Sequence, residues 1–367
     1  MSENILRKEE KAIFDLRALY ETYGYKKYRM AKFEEYDLYA ENRSFLAGGN
    51  IITFNDTHGK LLALKPDVTL SIVKNAANGV RLKEYYNENV YRAVDGEYKE
   101  IMQVGIESIG EIDMYSLCEV VMLAKKSLHK ISAESILDIS SAAFIKALLD
   151  STDIRYDVRE KLLLCAAAKN THDIEKTVCE YGVDKNIGDA LENIVSLYGK
   201  PEDILPKAQK YALNDEMNAS LEELCGICSF LKSIGEGEGI NIDFSLINDM
   251  NYYNGIIFKG FIKGVASSVL SGGRYDKLLS KMGKNTGAVG FAVYMNILDL
   301  FFDDKREYDA DILVTYNDEA DIVALTHMVN TLTSGGRSVR VQKIGEGAVK
   351  CREHFNFTNG GLELANS

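Results

Sequence analysis

Apolar residues recur at helical spacing near the start of the chain. Ile13, Leu16, Leu19 or Tyr20, and Tyr23 share one face, and Gly24 ends the run. This predicts a helix over about 7–23 with a glycine stop. The period then shifts to two. Ile51–Phe54 and Leu61–Leu64 flank the turn-rich Asn55-Asp56-Thr57-His58-Gly59, a hairpin signal, and Thr69–Ala77 reads as a helix after Pro66-Asp67. Over 83–110 the pattern is strand, turn at Asp95-Gly96, strand. In the returning strand Met102, Val104 and Ile106 fall on one face, and Gln103, Gly105 and Glu107 on the other. Two polar side chains with a glycine between them leave room for a small ligand. By periodicity alone, that face is equally well a solvated surface.

Residues 141–233 read as short helices broken near Asn170, Gly182-Val183-Asp184, Gly199-Lys200-Pro201 and Asn214-Asp215, an inserted helical lobe. The glycine run Gly235–Gly239 precedes a strand, whereas a dinucleotide fingerprint follows a strand and opens a helix, so it is read as a turn. Strands are expected over 241–247, 252–262 and 264–271. Ser271-Gly272-Gly273-Arg274-Tyr275-Asp276 reads as a turn into a helix, and 287–300 as strand to helix. A charged linker, Asp303–Glu307, precedes a βαβ-like unit with strands at Ile312–Val314 and Val339–Val341, a helix over about 318–333, and a last dozen residues without strong pattern.

Composition narrows the function classes. Lys plus Arg total 43 against 55 Asp plus Glu, a formal charge of −12, and no run of five or more cations occurs. Nothing here makes an electrostatic case for nucleic-acid binding. The six cysteines sit mostly in apolar helical patterns and read as buried free thiols. Cys225 and Cys228 form a C-x-x-C with no second pair, a weak metal signal. The charged start, Arg7 to Lys11, lacks a signal-peptide core, and no apolar run approaches the roughly 20 residues of a membrane span. A cytoplasmic protein is expected.

Four segments, in order, resemble the class II histidyl-tRNA synthetase family over roughly residues 5–300. Leu64-Lys65-Pro66-Asp67-Val68-Thr69 is similar to L-R-P-E-x-T, and Gln103-Val104-Gly105-Ile106-Glu107-Ser108-Ile109-Gly110 to Q-x-G-x-E-x-x-G. Tyr252-Tyr253-Asn254-Gly255-Ile256-Ile257-Phe258 is similar to Y-Y-T-G-x-x-F, and Gly272-Gly273-Arg274-Tyr275-Asp276 to G-G-R-Y-D. The resemblance implies an α+β fold: a class II synthetase-like antiparallel sheet with flanking helices in residues 1–305, the helical insertion at about 141–233, and a small or truncated anticodon-binding-like α/β unit at 308–367.

The same resemblance implies a histidine site. Asp67, Thr69 and Gln103 would hold the α-amino group. Glu107 and Tyr253, beside Tyr252, would meet the two imidazole nitrogens, and Tyr275 would close the pocket. An ammonium calls for carboxylate and amide oxygens, and an imidazole for a partner at each nitrogen. Singly, each residue has a plainer role: Asp67 as a helix cap, Tyr253 as core, Glu107 as surface charge.

The departures bear on activity. The family's Arg in R-G-L-D-Y-Y is replaced by Asn248, and its G-x-E-R end by Tyr294, Asn296 and Ile297 at the Gly, Glu and Arg positions. In the F-R-x-E motif Arg92 remains, Val94 replaces Glu, and the following loop is short and partly acidic; Ala31 stands at the motif 1 proline. Loss of several phosphate-reading groups should abolish adenylation, since one such contact is worth about 10²–10³ in rate. Arg92 is then the candidate for the histidine carboxylate. This pattern is similar to the non-catalytic branch that serves short-form ATP phosphoribosyltransferase as regulatory subunits. It implies L-histidine and the short catalytic chain as partners, a homodimer within a hetero-oligomer, no cofactor, no metal, no membrane and no tRNA. A histidyl-tRNA synthetase with degenerate motifs and a different non-catalytic paralogue remain as alternatives.

Overall fold

The computed structural model describes residues 7–46, 51–77, 79–94, 96–247, 252–299, 301–302, 308–358 and 361–365. Asp95, Asn248 with its neighbours to Asn251, and the linker 303–307 lie outside these residues. The chain divides into two compact units, Glu9–Phe302 and a smaller one made mainly of Asp303–Ser367.

The larger unit is built on a nine-stranded sheet. Its centre is antiparallel, in the order Leu82–Val94, Glu97–Gly110, Gly287–Tyr294, Leu270–Arg274, Ile256–Ile262 and Ser135–Ser141. Lys26–Lys27 and Ile240–Asp243 add parallel neighbours, and Tyr198–Gly199 ends the far edge. On one face Tyr85, Val104, Ile106, Val289 and Phe291 pack against the helices Lys8–Thr22 and Met114–Ile131 through residues such as Leu16, Tyr20, Leu117 and Val121. Each fully buried Leu or Ile side chain here contributes roughly 1.5–3 kcal/mol. The other face carries a second core of Val68, Leu70, Ile72, Tyr275 and Leu278 beside the small sheet of Phe33–Glu35, Leu61–Leu64 and Thr53–Asn55.

The helical lobe breaks where its sequence supplies caps. Asn170, Asp184 and Asn214 accept hydrogen bonds from the amides of Asp173, Asn186 and Met217, and Gly182 ends its helix at φ +65°. Such caps are worth about 1 kcal/mol each.

Three expectations need correction. Ser271 to Arg274 is a strand, not a turn. Its glycines mark close packing: a Cβ on Gly272 would lie 2.4 Å from the Phe291 Cβ, and one on Gly273 2.5 Å from the Ile256 carbonyl oxygen. The end of the chain is patterned: Cys351–Thr358 and Gly361–Leu364 pair antiparallel, and Phe357 enters the core of the small unit with Ile312, Val314 and Leu325. That unit is a four-stranded sheet with the helix Ile322–Ser334, because the strand Ala310–Tyr316 needs Cys351–Thr358 to pair its second edge. The cysteines are all free, but only Cys118 and Cys228 are buried; Cys179 and Cys225 project from solvent-facing sides of their helices. No helix is long and apolar enough to cross a membrane, and no group of metal-binding side chains occurs, both among the described residues.

Candidate functional site

A cavity of about 330 Å³ opens on the second face of the large sheet, and all eight residues singled out in the sequence line it: Asp67, Thr69, Arg92, Gln103, Glu107, Tyr252, Tyr253 and Tyr275. Its size lies at the lower end of the roughly 300–1,000 Å³ of small-molecule sites.

Register explains its shape. In the first cross-strand row Glu84, Glu107, Gly290 and Gly273 lie side by side; in the second, Tyr86, Gly105, Ala292 and Ser271; in the third, Glu88, Gln103 and Tyr294. The floor is bare where two glycines meet beside Glu107. A Cβ on Gly290 would stand 1.9 Å from Glu107 Oε2, and one on Gly273 2.7 Å from the Tyr253 ring. The floor rises by a methyl group at Ala292 and by a phenol at Tyr294. The space expected above Gly105 is not open. The Tyr86 ring folds over it, with its hydroxyl 2.6 Å from where a Cβ would be.

Glu107, 2% exposed, is held from two sides. The Thr69 hydroxyl donates to Oε1 at 2.7 Å, and the Tyr275 hydroxyl donates to Oε2. Burial raises this carboxyl to about 8, although both hydroxyls pull it down; the nearby Asp67 and Glu84 add to the rise. Asp67 is raised by burial and partly restored by Arg92. It stands one residue before Val68, the N-cap of the helix Thr69–Asn75, and accepts from the Leu70 amide at 2.8 Å; its other oxygen lies 3.8 Å from the Arg92 guanidinium. Arg92 is aimed by its Nε, which donates to the Pro66 carbonyl at 2.7 Å. Among the described lining residues it is the one cation.

Tyr252 packs between Tyr253 and Tyr275, with ring centroids 4.8 and 5.4 Å away, and Phe45 approaches its other side at 6.1 Å. Burial keeps the hydroxyls of Tyr86, Tyr252 and Tyr275 far above the ordinary phenol range, so all three are neutral. The cavity therefore offers two carboxyls, one guanidinium, one amide and several phenols. That set suits a small ligand bearing a cation, an anion and a polar ring.

Tyr86, Phe45 and Leu46 were missed in the sequence, and Tyr294 was noted only as a departure. Hairpin arithmetic could have found Tyr86. The strands pair up to Val94 and Glu97 around a turn whose Gly96 has φ +82°, and counting back from that pair sets Tyr86 opposite Gly105.

Comparison with known proteins supplies the lineage. The histidyl-tRNA synthetase family model matches residues 2–298. An ATP phosphoribosyltransferase regulatory subunit of Clostridium kluyveri is 32% identical over 319 residues, 82% of this chain and 81% of that one. The chain belongs to the ATP phosphoribosyltransferase regulatory subunits of the histidyl-tRNA synthetase-like family. Another regulatory subunit, from Acetivibrio thermocellus, is 29% identical over 339 residues, covering 89% of this chain and 81% of its own length.

Solved structures show the class II synthetase-like fold that this regulatory-subunit family shares with the synthetases. A regulatory subunit/histidyl-tRNA synthetase from Bacillus halodurans C superposes with a TM-score of 0.77 at 23% identity, over 93% of this chain and 90% of that one. A chain of the ATP phosphoribosyl transferase (HisG:HisZ) complex from Thermotoga maritima gives 0.63 at 20% identity, over 78% and 97%.

Proposed function

We propose that this chain is a non-catalytic, cytoplasmic subunit that binds free L-histidine and conveys feedback inhibition to a short-form ATP phosphoribosyltransferase catalytic chain. One observation carries the reading: residues from four separated segments converge on one cavity whose charges match an amino acid, with a single cation among the described lining residues. Glu107 and Tyr253 take the imidazole at the deep end. Asp67, Thr69 and Gln103 face the α-amino group, and Arg92 takes the carboxylate. Tyr252 and Tyr275 form the walls. A lone guanidinium can pair with that carboxylate but leaves nothing to neutralise a triphosphate, which supports a binder over an adenylating enzyme.

The partner reading rests on the relatives' names. The chain works as a homodimer within a hetero-oligomer, and histidine shifts the assembly toward an inhibited state. Such coupling is reciprocal, so the catalytic chain must alter histidine affinity by the same factor. The test is co-expression with a short-form catalytic chain and assay with and without L-histidine. Joint purification and histidine-dependent inhibition are expected. Calorimetry should show Glu107→Ala weakening histidine binding by more than about tenfold, the scale of a lost charge-assisted hydrogen bond, with the fold intact. Unchanged affinity in that variant would refute the site, and histidine-dependent ATP–pyrophosphate exchange by the purified chain would refute the non-catalytic role.

A further inference from the structure

The geometry points to Tyr294 as the end wall that limits the ligand to a free α-amino acid and rejects the same amino acid extended through its carboxyl group. This inference rests on the histidine reading of the cavity. The strand Gly287–Tyr294 presents Gly290, Ala292 and Tyr294 to the cavity, opposite Glu107, Gly105 and Gln103. Side-chain bulk therefore rises from nothing to a methyl group to a phenol along one line of the floor. Depth is greatest where Glu107 stands and ends at the Gln103–Tyr294 row. An amino acid with its ring at Glu107 has its backbone groups at the Asp67, Arg92 and Gln103 end, so any group added to its carboxyl meets the Tyr294 ring. Tyr86, folded over Gly105, fills the middle row and keeps the ligand from shifting sideways.

Bulk, not hydrogen bonding, is the proposed device, and two variants separate the two. The full chain would be titrated by calorimetry with L-histidine and with 5′-O-(N-L-histidylsulfamoyl)adenosine, which keeps the amino acid and an anionic linkage but extends past the carboxyl position. The wild type should bind histidine and discriminate against the extended compound. Tyr294→Gly should move the ratio of the two affinities toward the extended compound by at least about tenfold, the scale of discrimination that pocket volume provides. Tyr294→Phe should leave the ratio where it is. Equal binding of both compounds by the wild type, or an unmoved ratio in Tyr294→Gly with histidine still bound, would overturn the end wall while leaving the histidine site standing. A folded wild-type chain that binds neither compound would remove the histidine reading and the wall together. Melting curves of each variant separate loss of fold from loss of selectivity.

Discussion

The two ends of the cavity are built by different means. At the deep end a buried carboxyl is fixed by two hydroxyls over a floor from which every side-chain atom has been removed. At the outer end a guanidinium is anchored by one backbone carbonyl and stands 3.8 Å from its carboxylate partner. The deep end is over-determined: Glu107 cannot turn without breaking a hydrogen bond or striking backbone. The outer end keeps the latitude to tighten on a ligand. On the proposed histidine reading, recognition of the ring would belong to rigid sheet rows, and recognition of the amino acid's termini to residues with room to adjust. This division matches the cost of leaving buried polar groups unpaired, which makes a fixed site reject wrong ligands.

The most damaging change to the deep end is to refill its floor. In Gly290→Ala the new methyl group would sit 1.9 Å from Glu107 Oε2 and 2.4 Å from the Ile106 carbonyl oxygen. Backbone cannot yield as a flexible side-chain tip can, so Glu107 must leave its place. Histidine affinity should fall by about 100-fold or more, and the melting temperature should drop, since overpacking typically costs about 1–3 kcal/mol. Calorimetry and a thermal melt check both. Near-normal affinity would show that the deep end is less rigid than its rows indicate.

The outer end should respond less. Arg92→Ala removes one charge-assisted contact and leaves Asp67 without its cation, for an expected loss of about 10- to 100-fold in histidine affinity. Arg92→Lys should recover only part of it, because a lysine cannot keep the Nε bond to Pro66 while pairing with a carboxylate. Histidinol, which lacks the carboxylate, isolates the Arg92 contact: its affinity should be nearly indifferent to both variants. Equal losses for histidine and histidinol would mean that Arg92 acts through Asp67 alone.

How much of this could be read from the sequence differs between the same two ends. Strand alternation puts Gln103 and Glu107 on one face but leaves that face equally a solvated surface; it is the short family-like motifs that single them out together with Asp67, Thr69, Tyr253 and Tyr275, and all six line the cavity. The helical lobe was legible for a related reason: Asn170, Asp184 and Asn214 are caps that act within three residues. What stayed hidden depends on neighbours across strands. Gly272 and Gly273 looked like a turn, since a missing side chain signals bending and close approach alike, and only the facing Phe291 distinguishes them. Tyr86 became visible only once register set it against Gly105. The helix Met114–Ile131 was not assigned at all, though Asp113 caps it. The strand Cys351–Thr358 was overlooked because most of its side chains are only half-buried and its apolar alternation is short.

A further expected effect concerns protons rather than the ligand, and it contrasts a deep end that is costly to charge with an outer end that is already charged. Glu107 is raised by burial from 4.5 to about 8 in the folded chain. Between those values the folded state holds a proton that the unfolded chain has released. The sign follows: this group's contribution to stability is fully present below about 4.5 and is lost as pH rises through 8. Glu107→Gln cannot titrate there, so its melting temperature relative to wild type should climb steadily from pH 5 to pH 8.5. The span corresponds to a free-energy change of up to a few kcal/mol, about 1.4 for each unit of pKa displacement. Saturating histidine should flatten the wild-type slope, because an imidazolium beside Glu107 favours the carboxylate and draws its pKa back down. Parallel melting curves for wild type and Glu107→Gln across that pH range would mean that the carboxyl is charged in the empty cavity. The deep end would then need a counter-charge from within the protein, and its dependence on a cationic ligand would fall away.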